Sequence, residues 1–197
     1  MIKKIVAIGP ESTGKSSLCK ALAAHYKTVY AKEYAREYLL THGTQYTFEN
    51  LLHIAKGQIQ FEENAIATLQ NSAQNILHVN LLPSNLLPSN LLHPKPLNLF
   101  LDTNMFVMKV WCEFVFEKCH HWILDTIATR KYDLYLLCNT DMPWVKDELR
   151  EYPDLATREK LYHHYKDILI NQQVPWVEIS GNYEERLQKA IEAVEKL

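Results

Sequence analysis

The chain has 197 residues, 47% hydrophobic and 22% charged, which is the composition of an ordinary folded domain and excludes a disordered or fibrous chain. Its 21 Lys and Arg nearly balance 23 Asp and Glu, for a net charge of -2 with neither sign gathered at one end. That argues against a protein that coats nucleic acid, while leaving room for a local anion site. A single domain over 1–197 is expected, large enough to hold a core without disulfide or metal. The cysteines, Cys19, Cys112, Cys119 and Cys138, lie far apart in apolar runs without a CxxC pair, and read as reduced thiols. Neither a signal-peptide pattern nor an apolar run near the roughly 18 residues of a membrane helix is seen, so a cytoplasmic protein with no membrane partner is expected.

Residues 2–8, IKKIVAI, form a β-branched strand pattern ended by Gly9-Pro10, and a helix pattern follows from Lys15 to His25. Thr28–Ala31 is a short strand candidate, and Glu33–Leu40 a helix stopped near Gly43. From Thr47 to Leu77 the residues Leu52, Ala55, Ile59, Ile66, Leu69, Ala73 and Ile76 recur at helical spacing, which predicts a long amphipathic helix with a possible break at Gly57. Residues 81–96, LLPSNLLPSNLLHPKP, are a tandem repeat holding four of the eight prolines, and read as an inserted loop. Leu97–Leu101 is a third strand ending at Asp102, followed by a helix over Asn104–Phe116. Tyr132–Leu137 and Pro175–Ile179 complete five strands, and a last helix starts at Tyr183. Segment 139–160 holds ten charged residues and two prolines, and is expected to be a polar lid. Strands alternating with helices imply an α/β fold whose parallel sheet is flanked by helices, with ligands at the carboxyl ends of the strands.

Gly9-Pro10-Glu11-Ser12-Thr13-Gly14-Lys15-Ser16 satisfies G-x-x-x-x-G-K-[ST] between a strand and a helix. Phosphates need converging backbone N–H groups at a helix start, and glycine permits the backbone path that supplies them. Lys15 is then placed for the β and γ oxygens, and Ser16 for Mg²⁺. ATP and Mg²⁺ are the expected cofactors. Asp102, at a strand tip beside this loop, is the second metal candidate; a helix N-cap at Asp102, Thr103 or Asn104 is its competing role.

Two motifs argue against a guanine-nucleotide switch: residues 139–142 read Asn-Thr-Asp-Met where N-K-x-D is expected, and Asp102 is followed by Thr-Asn-Met rather than the D-x-x-G pattern. Of five arginines, Arg150 and Arg158 fall in the lid segment, where they can meet a transferring phosphoryl group, and Arg36 follows the second strand. These features favour phosphoryl transfer over a non-catalytic ATP-binding module.

GPESTGKSSL, VYAKEYAREYL, Gly57-Gln58, LFLDTN at 99–104, NTDMPWVKDELR at 139–150 and VPWVEISGNYEERL at 174–187 together resemble the ribosylnicotinamide kinase domain of the NadR type. The resemblance covers nearly the whole chain except the repeat. It implies a P-loop kinase with a helical lid that moves the ATP γ-phosphoryl to the 5'-hydroxyl of nicotinamide riboside; a kinase for another nucleoside or small metabolite shares the same residues. Ser17 joins the phosphate loop, and Asn182 and Tyr183 line the adenine edge. Acceptor contacts are expected from Glu33, Tyr34, Arg36, Glu37, Gln58, Asn104, Trp144 and Asp147. Glu33 or Glu37 suits the ribose diol, and Glu33 or Asp102 the attacking hydroxyl. Trp144 either stacks on the pyridinium or anchors the lid. The family carries a second acid two residues after the strand-tip aspartate, where this chain has Asn104, and no H-x-G-H adenylyl-transfer motif is present.

Overall fold

The computed structural model describes residues 2–79 and 97–197, so the Pro/Leu repeat at 81–96 lies outside the described residues. The elements in chain order are β1 (Ile2–Ile8), α1 (Lys15–Tyr26), β2 (Tyr30–Ala31), α2 (Tyr34–His42), α3 (Phe48–Val79), β3 (Leu97–Asp102), α4 (Met105–Phe116), α5 (His121–Thr129), β4 (Leu134–Cys138), α6 (Leu155–Ile170), β5 (Trp176–Ile179) and α7 (Tyr183–Val194). The five strands form one parallel sheet in the order β2-β3-β1-β4-β5.

Ile5 to Ile8 of the central strand are fully buried, because helices cover both faces of a parallel sheet. Successive side chains point to opposite faces. Ile5 and Ala7 join Leu18, Leu22 and Phe100 under α1 and α7, while Val6 and Ile8 join Leu101, Val110, Leu137 and Leu161 on the side of α3, α4 and α6. A third cluster, with Leu51, Ile54, Met105, Met108 and Ile123, packs α2, α3, α4 and α5 together beside the sheet. The register pairs Ala7 with both Asp102 and Leu136. The tips of β1, β3 and β4 therefore end at one edge, with Asp102 beside the loop that leaves β1.

Two expectations are corrected and one helix is added. The helix does not break at Gly57: α3 runs through it, and the missing side chain makes room for the Tyr34 ring. Helix α5 was not expected from the pattern; it follows α4 after only a short turn and buries Ile123. Nor is the lid helical over 139–154, where the chain is an irregular strap rich in Pro, Gly-free turns and charge. Regular helix begins at Leu155, where the Asp154 carboxylate accepts from Thr157 N at 2.7 Å. Among the described residues no helix is long and apolar enough to cross a membrane.

Candidate active site

Gly9 leaves β1 with φ +138°, and a Cβ there would lie 2.6 Å from the Cys138 carbonyl at the tip of β4. Glycine is required at this close approach. Ser12 (φ 55°) and Gly14 (φ 79°) then curl the loop through left-handed positions, as in backbone cups that collect N–H groups. Helix α1 starts at Lys15 with no side-chain cap, so its first N–H groups remain for an anion. The Lys15 ammonium and the Thr13 hydroxyl both donate to the Pro10 carbonyl, each at 2.7 Å.

Behind the loop, the Ser16 side chain lies near the buried Asp102 carboxylate, whose Oδ1 has no partner. Burial pushes Asp102 up, and Lys15 and Ser16 pull it back. No group of three or more His, Cys, Asp or Glu gathers among the described residues. A hydroxyl plus one carboxylate with a spare oxygen is nonetheless the donor set of a Mg²⁺ that also takes phosphate oxygens and waters, so these residues fit that ion. Thr103, at φ 78°, is a strained β-branched residue between Asp102 and Asn104, and its N–H bonds to Ala7 O at 3.1 Å.

A cleft of about 370 Å³ opens over the loop. Glu33 stands in it just before α2, with its carboxyl raised to about 7 by burial first and then by Asp102, against the pull of Lys15 and Arg36. The apolar wall of the cleft is one face of α4, with Val107, Val110, Trp111 and Phe114 at helical spacing, opposed by Leu161 and Tyr165 of α6. Glu33 and burial push the Tyr165 phenol up, so it stays neutral.

The strap is fastened from several sides. Glu11 of the phosphate loop accepts from Trp144 Nε1 (3.2 Å), Tyr152 N (2.7 Å) and Glu151 N (3.0 Å), and the Ser12 hydroxyl accepts from Val145 N (3.0 Å). Arg36 of α2 grips both oxygens of Asp147, at 3.2 and 2.9 Å, and holds that carboxyl below its usual range. Tyr46 donates to Glu151 at 2.9 Å and accepts from Trp111 Nε1 at 2.9 Å.

The profile of the AAA domain family matches residues 4–79 and 91–186. The chain belongs to that family. It is 22% identical over 201 residues to the trifunctional NAD biosynthesis/regulator protein NadR of Escherichia coli K12, covering all of this chain and 43% of the relative. It thus spans less than half the length of that protein. Its fold is shared with solved proteins: NadR protein in complex with NR superposes with TM-score 0.71 at 20% identity, over 98% of this chain and 49% of that one. Thymidylate kinase from Ehrlichia chaffeensis superposes with TM-score 0.61 at 11% identity, over 98% of both chains.

Within this AAA domain, the expected residues divide between the cleft and its supports. Gly9, Glu11, Ser12, Thr13, Gly14, Lys15, Ser16, Ser17, Glu33, Arg36, Arg150 and Tyr183 line the cleft. Arg150 donates to the Val145 carbonyl there. Trp144 takes the anchoring position on Glu11 and is absent from the lining. Gln58 is buried behind the cleft, accepting from Tyr34 N at 2.8 Å and donating to Lys32 O at 3.1 Å, so it ties α2 to α3. Tyr34 packs its ring on Gly57, and Glu37 is exposed on α2 outside the lining. Asn104 caps α4, accepting from Phe106 N at 3.0 Å while donating to the Tyr135 hydroxyl at 3.2 Å; an acid there would lose that donor. Asn182 caps α7 in a capping box with Glu185. Arg158 is buried, donates to Met142 O at 3.3 Å, and leaves Nε unpartnered; burial pulls its guanidinium down, opposed by Glu11.

Sequence reasoning missed Arg186. Only 2% exposed, it donates to Gly181 O (2.7 Å), Thr13 O (3.0 Å), Asn139 O (3.1 Å) and the Asp141 carboxylate. It thereby joins the phosphate loop to the ends of β4 and β5. Its signal was available, because Arg186, Ala190 and Val194 share one buried stripe of α7. Trp111 and Phe114 were visible in the same way on α4. Tyr46, in the loop between α2 and α3, carried no such signal.

Proposed function

We propose that this protein is an ATP-dependent kinase that phosphorylates the 5'-hydroxyl of a nucleoside, with nicotinamide riboside as the preferred acceptor. The carrying observation is a cleft lined by Lys15, Ser16 and Glu33 and by the apolar and aromatic face of α4, with the buried Asp102 carboxylate behind it near all three polar residues. The phosphate loop binds the ATP tail, and Lys15 exchanges the Pro10 carbonyl for β and γ oxygens. Mg²⁺ held by Ser16 and Asp102 would neutralise charge on those oxygens. Glu33 takes the proton as the 5'-oxygen bonds to the γ-phosphorus and the bond to the β–γ bridging oxygen breaks, releasing ADP. Positioning and charge neutralisation supply the rate, without a covalent enzyme intermediate.

A nucleoside suits the cleft better than a nucleoside monophosphate. A phosphorylated acceptor favours a cluster of unpaired cations, and of the two lining arginines Arg36 is already paired with the Asp147 carboxylate, leaving Arg150 alone without a carboxylate partner. A pyridinium favours aromatic faces and carboxylates, available here as Trp111, Phe114, Glu33 and Glu151. NadR solved with NR is among the fold relatives, which supports the same acceptor.

Purified protein with Mg-ATP is expected to convert nicotinamide riboside to its mononucleotide faster than it phosphorylates uridine, thymidine, deoxyadenosine or thymidine monophosphate. Lys15→Ala is expected to abolish the product. Phosphorylation of another nucleoside alone would reassign the acceptor; ATP binding with no turnover across the panel would leave a binding module.

A further inference from the structure

Four residues from four separate segments form one hydrogen-bonded path across the rim of the cleft. Glu11, in the phosphate loop, accepts from the backbone N–H of Glu151 at 3.0 Å. The Glu151 carboxylate accepts from the Tyr46 hydroxyl at 2.9 Å, and that hydroxyl accepts from the indole N–H of Trp111 at 2.9 Å. Tyr46 also sets its ring edge-on to the Trp111 indole, with centroids 5.0 Å apart. Trp111 faces the cleft, whereas Tyr46 lies outside its lining. Burial and the neighbouring Glu151 push the Tyr46 phenol up, so its proton stays in place for donation. The strap residue Glu151 therefore contacts the phosphate loop with its backbone and the acceptor wall, through Tyr46, with its side chain.

We propose that Tyr46 is a positioning residue which, through Glu151, couples the occupancy of the phosphate loop to the orientation of Trp111 on the acceptor wall. This rests on the reading above that the apolar wall receives the acceptor's base. An indole ring pinned by its N–H presents one fixed face, which lowers the ordering cost of stacking a base on it. Because Glu11 holds both ends of the strap bulge, at Trp144 and at Tyr152, a phosphate tail that shifts the loop shifts Glu151 with it. The hydroxyl is the only atom of Tyr46 that both bonds share, so Tyr46→Phe removes the coupling and keeps the ring.

The test has an arm that needs no acceptor. Intrinsic fluorescence of the full chain is followed during a Mg-ATP titration, with Trp111→Phe identifying the Trp111 contribution. Wild type is expected to show a Trp111 change that is lost in Tyr46→Phe and in Glu151→Ala, and retained in Glu151→Gln, which keeps an acceptor oxygen. Glu151 is exposed, so its substitution does not threaten the fold. In the second arm, KM for the nucleoside rises roughly three- to tenfold in Tyr46→Phe, the worth of one hydrogen bond, while KM for ATP stays within about twofold. A Trp111 signal and nucleoside KM unchanged in both Tyr46→Phe and Glu151→Ala would overturn the coupling. Absence of turnover by wild type with every nucleoside would sink the acceptor reading instead, with the fluorescence arm still deciding the coupling.

Discussion

Asp102 stands behind the Ser16 hydroxyl with one carboxylate oxygen, Oδ1, buried and unpartnered. A charged group so placed costs stability unless something completes it. Asp102→Asn removes that charge. Without metal or nucleotide the variant is therefore expected to be more stable than wild type by about 1 kcal/mol, measured by urea unfolding. Its thermal shift on adding Mg-ATP should shrink strongly, and kcat should fall by roughly two orders of magnitude or more, since a metal's charge neutralisation is worth several kcal/mol. A destabilised variant that kept its Mg-ATP shift would mean that Asp102 serves only the packing of the β3 end.

Glu33 predicts a pH dependence whose sign follows from its raised carboxyl, near 7 against an ordinary 4.5. The folded state holds this proton more tightly than the unfolded state, so the contribution to stability is complete below about pH 4.5 and is lost as pH rises through about 7. Glu33→Gln is expected to flatten that part of the stability profile. As the acceptor of the hydroxyl proton, Glu33 should also make kcat/KM rise with pH to a plateau above about 7. Removing the Asp102 charge lowers the inflection, since Asp102 is the second cause of the shift after burial. A kcat/KM profile with no inflection between pH 5 and about 8 would remove Glu33 from the proton-transfer role.

Gly57→Ala separates two opposed effects. Helix propensity alone predicts a gain of about 1 kcal/mol from replacing a mid-helix glycine. The added Cβ, however, would sit 2.0 Å from Cε1 of Tyr34, far inside contact distance. Overpacking of this kind costs about 1–3 kcal/mol, so net destabilisation is expected, by calorimetry or urea unfolding. Because Tyr34 opens α2 directly after Glu33, nucleoside KM should rise as well. Gly57→Ala combined with Tyr34→Ala should recover the propensity gain.

Much of this arrangement was legible in the chain because local signals and tertiary roles agree. The phosphate loop carries its residue types in sequence, and the run Leu99-Phe100-Leu101 ends on Asp102 because β3 must end level with β1. Roles that depend on register between distant segments were less legible. Trp144 and Asp147 looked equally suited to substrate, yet their hydrogen bonds go to Glu11 and Arg36, more than a hundred residues away. Gln58 and Asn104 are polar side chains that satisfy backbone groups at the start of helices, a need that exists only once α2 and α4 are packed. The strap over 139–154 has a composition that fixes polarity but no periodicity from which its path follows.

Arg186 offers the sharpest distinction between scaffold and site. Its guanidinium is buried, neutralised by Asp141, and shared among carbonyls of the phosphate loop, the β4 end and the β5 end. Arg186→Met replaces it with an apolar chain of similar length, leaving three carbonyls and the partly exposed Asp141 without their donor. Removing one partner of a buried pair typically costs about 3–5 kcal/mol; because Asp141 reaches solvent, the lower end is expected here. Arg186→Met together with Asp141→Asn should recover part of that loss in urea unfolding, since no carboxylate is then left uncompensated. ATP affinity should not recover with it, because the Thr13 carbonyl has still lost the donor that fixes the loop. If the double variant regained both stability and ATP binding, Arg186 would be a charge partner for Asp141 alone, with no part in shaping the phosphate loop.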